Sequence, residues 1–138
     1  MMDLKKLVLL KAASGQKDGN LLKVTTENAA RFNDGFDNWT EAAGVVIFSG
    51  ESRGGYYATL HPGVTYVYSY DTEVTFQQRI YTVKEDRSLN ELLYNKNTNT
   101  AEFSFEGEAD QEFVFGFYLT DEQAAGTTIH NMRVEVKK

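Results

Sequence analysis

At 138 residues, with 41% hydrophobic and 25% charged side chains, the chain has the bulk of one domain folded around one core, which argues against wholesale disorder. Its 20 Asp and Glu against 14 Lys and Arg leave a formal charge of −6, which argues against nucleic acid, and the lack of cysteine excludes disulfides, thiolate metal sites and a Cys nucleophile. Nine Phe, eight Tyr and one Trp suit pleated, half-buried surfaces better than long helices.

Residues Leu4 to Ala12 read as a strand or short helix, with strand favoured: the apolar run Leu7–Leu10 is cut by Lys11, too short for a secretory core, so synthesis in the cytoplasm without a signal peptide is expected. No run approaches a membrane span. After a turn at Ser14–Gly19, Asn20 to Thr26 reads as a second strand. Glu27 to Thr40 reads as an aromatic-studded loop carrying Phe32, Phe36 and Trp39, with one helical turn over Thr26–Arg31. Gly44 to Ser49 and Tyr56 to Leu60 read as strands joined by a glycine-rich hairpin loop, Gly50–Gly55. Beyond the turn His61-Pro62-Gly63, Val64, Tyr66, Tyr68 and Tyr70 share one face of a strand.

Glu73 to Val83 alternates Val74, Phe76, Gln78 and Ile80 with Thr75, Gln77, Arg79 and Tyr81, and Lys84–Arg87 makes a charged turn. Ser88 to Tyr94 reads as a helical turn and Asn95–Thr100 as a polar loop. Phe103 and Phe105 alternate with Glu102, Ser104 and Glu106, whereas Phe113 to Leu119 is apolar on both faces and is expected to be central. Asp121–Gly126 turns into a last strand, Thr127–Val136, where a bulge near His130-Asn131 would let Ile129, Met132, Val134 and Val136 all point inward. These elements predict an all-β, antiparallel β-sandwich of jelly-roll type, with about eight to ten strands and at most one or two short helical turns.

No catalytic motif is found. His61 and His130 lie outside metal-binding spacings, and there is no nucleophile elbow or phosphate loop. The acidic cluster Glu102, Glu106, Glu108, Asp110 and Glu112 offers carboxylates for a small glycoside hydrolase, but so unspecific a signal more often keeps a surface solvated. That cluster, or Asp34 with Asp37, offers oxygen ligands for a structural calcium without EF-hand spacing, and no cofactor is otherwise expected. Aromatics beside hydrogen-bonding side chains suit sugar rings, which makes Trp39, Tyr56 and Tyr57 candidate platforms and Arg53 and Asn38 candidate polar partners. The competing reading buries Trp39 at one end of the sandwich and places the tyrosines in the core.

Gly19-Asn20-Leu21-Leu22 followed by Asp37-Asn38-Trp39, the strand Gly63–Tyr70, and Gly126–Glu135 resemble the opening, middle and closing motifs of the galactose-binding-like jelly roll, found in carbohydrate-binding modules and phage tail or virion proteins. His130 departs from the family's usual Asp. The resemblance implies a jelly-roll domain over 20–138, and residues 1–19, expected as an N-terminal strand or arm, depart from the family by adding to its usual start. Cytoplasmic synthesis without a signal, a compact β-rich chain and the lack of a catalytic set make a non-catalytic phage or virion structural or decoration protein the leading expectation, partnered by other virion proteins or further copies of itself. The alternatives are a stand-alone module for cell-surface glycan and, third, the hydrolase.

Overall fold

The computed structural model describes residues 19–32 and 34–138, so the expected strand at Leu4–Ala12 lies outside the described residues. Nine strands form one antiparallel sheet. The first three are β1 (Ala29–Ala30), β2 (Asp37–Ala42) and β3 (Val45–Leu60). Next come β4 (Tyr66–Thr72), β5 (Gln77–Val83) and β6 (Leu89–Asn97). Then follow β7 (Thr100–Phe103), β8 (Gln111–Leu119), the one-turn helix α1 (Asp121–Ala124) and β9 (Thr128–Val136). A 3-10 turn at Thr26–Asn28 precedes β1.

The 16-residue β3 organises the molecule. One edge pairs with β2 and then β1, while the other pairs with β9 at Val46–Ile47 and with β8 from Ser52 to Leu60. The sheet therefore forks at β3. One leaf continues through β8, β5 and β6, the other through β9, β4 and β7, and the sheet curls until the two enclose a common core. Period-two alternation supplies that core: Tyr66, Tyr68 and Tyr70 from β4 meet Phe113, Phe115 and Phe117 from β8, all buried. The Tyr68 and Phe115 rings meet edge to face, centroids 5.2 Å apart, and each fully buried ring contributes roughly 2–3 kcal/mol through burial. The Tyr68 hydroxyl donates to the Gly116 carbonyl at 2.8 Å and the Gln78 amide to the Tyr68 carbonyl at 3.1 Å, so polar bonds also span the leaves.

The expected hairpin loop at Gly50–Gly55 is instead the middle of β3. Its glycines serve close packing rather than turning. Gly54 has φ +152°, which favours glycine, and a methyl there would lie 2.6 Å from the Trp39 ring. Gly55 faces Gly116 across the β3–β8 ladder, where a methyl on either would strike backbone. Part of the expected loop at Glu27–Thr40 is also extended, as β1 and β2, because both complete the second edge of β3.

Ser88–Tyr94 is not helical but belongs to β6. Tyr81 pairs with Leu92 while Ile80 pairs with Tyr94, leaving Leu93 as an extra residue, and a second register shift follows before Leu89. These bulges give Leu89, Leu92 and Leu93 a helix-like spacing and twist an edge that is unpaired among the described residues, which discourages strand-to-strand aggregation. The polar segment Asn95–Thr100 likewise divides between the end of β6 and the start of β7.

In β9 the expected bulge is present: Ser69 pairs with Arg133 but Asp71 with His130, and Asn131 adopts φ 53°. Ile129, Met132 and Val134 consequently all face the core, whereas Val136, at the strand end, is 47% exposed. Asn20 to Val24 lacks ladder pairing, yet Leu22 and Val24 are buried. Asn20 clasps β9 through its side chain, accepting from Val134 N at 3.1 Å and donating to the Met132 carbonyl at 3.3 Å. The turn at Asp121–Gly126 contains α1, held by a capping box between Thr120 and Gln123. No helix among the described residues is long and apolar enough to cross a membrane.

Candidate functional site

The outer face of the β3–β8–β5–β6 leaf is laid out in rows by its registers. Arg53 aligns with Tyr118, Gln77 and Asn97; Gly55 with Gly116, Arg79 and Asn95; Tyr57 with Val114, Tyr81 and Leu92. Phe32, just beyond β1, packs edge-on to Tyr81 at 6.2 Å and joins a small second cluster with Ala30, Tyr57 and Val114. The β5–β6 turn brings Arg87 over the Tyr57 ring, 3.7 Å from its centroid. Together Arg31, Phe32, Arg53, Tyr57, Arg87 and Leu89 line an open groove of about 420 Å³.

Every arginine of the chain except Arg133 lies at this groove or on this leaf, and each sits over a ring. Arg31 covers Trp39 at 3.7 Å, Arg53 lies 6.0 Å from Phe32 and 5.9 Å from Phe36, and Arg79 lies 4.8 Å from Tyr118. Three are also held by carboxylates: Arg31 by Glu41 at 3.3 Å, Arg53 by Asp34 at 2.5 Å, and Arg87 by Glu112 at 3.0 and 3.1 Å. Arg87 adopts φ 68°, a backbone cost of about 1–2 kcal/mol for a side-chain-bearing residue, offset by the forked Glu112 bonds and the stack on Tyr57.

These pairings leave the groove nearly neutral but dense in N–H donors and carboxylate acceptors around apolar rings. Burial raises the Tyr57 hydroxyl above its ordinary value, Arg87 working against the shift and Glu112 with it, so it stays a donor, here to the Arg87 carbonyl at 3.1 Å. Burial also pushes the Asp34 carboxyl up, but bonds from the Phe36 amide and Arg53, with the guanidinium charge, outweigh it and hold the group below 3.8. A depressed carboxylate adds stability that is complete above its unfolded value and lost as pH falls through the folded one. The Arg53–Asp34 clasp should therefore survive to about pH 4 and release below it, and exchange protection of the Phe36 amide already lost by about pH 5 would contradict this.

Of the residues singled out in the sequence, the groove unites Arg53 and Tyr57. Trp39 and Tyr56 are 2% and 0% exposed and present no ring face to solvent. Trp39 closes one end of the core against Tyr56 and Phe117, and the Tyr56 hydroxyl donates to Glu41 at 2.6 Å. Asn38 spends its amide on the Glu51 and Gly35 carbonyls, away from the groove. Arg31, Phe32 and Arg87 escape sequence reasoning because they arrive from connections whose place depends on strand pairing.

The expected acidic cluster is engaged piecemeal: Asp110 meets His61, Glu112 meets Arg87 and Glu102 meets Lys137. Among the described residues no group of three or more His, Asp or Glu is arranged to hold a metal ion. A larger hollow of about 500 Å³ lies by Asn20, His130, Met132 and the β2–β3 turn, but no Phe, Tyr or Trp lines it. In comparisons with known proteins, no family model and no curated protein matches the chain.

Proposed function

We propose that this chain is a non-catalytic recognition module that binds carbohydrate in the groove between Tyr57, Phe32 and the three carboxylate-paired arginines, within a virion or similar particle. The observation that carries the reading is the groove itself: apolar ring surface framed by neutralised arginine–carboxylate pairs. Sugars present apolar C–H faces ringed by hydroxyls that both donate and accept, and this lining answers both demands without favouring a charged ligand. The galactose-binding-like assignment gains support from the way its motifs come together. Asn20 clasps β9, which carries the closing motif, and β9 pairs with β4, which carries the tyrosine motif.

The test is a glycan array followed by calorimetry. Wild type should bind one class of neutral oligosaccharide, Tyr57→Ala and Arg87→Ala should each weaken it about tenfold or more, and Arg133→Ala, on the other leaf, should leave it unchanged. Binding indifferent to Tyr57→Ala, or no binding across the array, would overturn the proposal.

A further inference from the structure

We infer that Arg79 and Tyr118, with Gln77, Asn95 and Asn97 beside them, form a second subsite on the same leaf that takes the carboxylate-bearing residue of an acidic oligosaccharide. The inference rests on the reading that this face binds carbohydrate. It starts from a difference among the arginines. Arg31, Arg53, Arg87 and Arg133 each have a carboxylate within ion-pair distance, but among the described residues Arg79 has none. In a chain of formal charge −6, a guanidinium left uncompensated on a sheet face is a position prepared for an incoming anion.

Its geometry is fixed in advance. Nε of Arg79 donates to Oε1 of Gln77 at 2.8 Å, one terminal nitrogen donates to the Tyr81 hydroxyl at 2.9 Å, and the plane lies over the Tyr118 ring. Among the described residues the other terminal nitrogen has no hydrogen-bond partner, which leaves it for a carboxylate, so the ligand's charge would be met by a donor that has little freedom left to lose. The register places Asn95 opposite Arg79 and Asn97 opposite Gln77, two exposed residues on the neighbouring strand, whose backbone lies about 4.8 Å away. Their amides suit sugar hydroxyls. On the other side of Arg79 the row continues through Gly116 and Gly55, which raise no side chain between this subsite and the groove. The Tyr118 hydroxyl donates to Glu51, and that bond, with burial, raises it above its ordinary value, so Glu51 is already engaged.

Calorimetry should compare uronate oligomers with neutral and sulfated oligosaccharides of equal length, on wild type, Arg79→Gln, Arg79→Lys, Asn95→Ala and Tyr57→Ala. Wild type is expected to prefer the uronates, with an affinity that falls as salt rises. Arg79→Gln should lose that preference about tenfold while keeping neutral binding, Arg79→Lys should keep the salt dependence with part of the affinity, and Asn95→Ala should cost less than Arg79→Gln. Equal binding of uronate by wild type and Arg79→Gln, or a preference for sulfated sugars, would overturn this inference alone, provided neutral sugars still bind through Tyr57. If no oligosaccharide binds at all, this inference and the groove reading both fall.

Discussion

Gly116→Ala is expected to lose at least about 3 kcal/mol of folding stability, enough to leave little folded protein, because overpacking against backbone has no side chain to yield. The methyl group would be driven into the Gly54 carbonyl, about where Gly116 faces Gly55 across the β3–β8 ladder. The same shift would disturb the Gly116 carbonyl that accepts from Tyr68 across the core, so a local clash would reach both leaves. Gly44→Ala is the control. A methyl there meets open space, and only the backbone cost at φ +80° applies, about 1–2 kcal/mol. Urea unfolding followed by circular dichroism separates the two, and equal losses would show that β3 and β8 do not pack as described.

Arg31→Ala is expected to cost about 2–4 kcal/mol, below the figure for a fully buried pair because the Arg31 side chain remains 27% exposed. Glu41, whose side chain is 5% exposed, would lose its cation and keep only the hydroxyls of Tyr56 at 2.6 Å and Thr26 at 2.9 Å. Arg31 also donates to the Trp39 carbonyl at 2.6 Å and covers its ring, so the plug at the core's end would be uncapped as well. Glu41→Gln in the Arg31→Ala background should recover part of the loss, since a neutral amide need not be paired with charge. A loss under about 1 kcal/mol for Arg31→Ala would place this pair among ordinary surface ion pairs.

Alternation carried most of what the sequence made legible. Tyr66, Tyr68 and Tyr70, and Phe113, Phe115 and Phe117, had to share faces, and the mismatch between Ile129 and Met132 required an extra residue in β9. Local composition misled where a residue's purpose is a distant partner. Glycines at 50–55 resemble a turn, yet those at 54 and 55 exist for Trp39 and Gly116. Leucines at 89, 92 and 93 resemble a helix face because two bulges shift their spacing.

The candidate site was only partly visible for the same reason. Arg53 and Tyr57 alternate on one strand, but only the β3–β8–β5 register sets them beside Tyr81 and Arg79, and only the path of the chain brings Phe32 and Arg87 over them. Trp39 and Tyr56 carry the right chemistry for stacking and are spent on the core.

Chemical-shift mapping with the best-bound neutral oligosaccharide from the array bears most directly on whether this leaf is the recognition surface. Amide perturbations should centre on Arg53, Tyr57 and Arg87 and spread towards Tyr81. Perturbations centred instead on the hollow by Asn20, His130 and Met132 would contradict it.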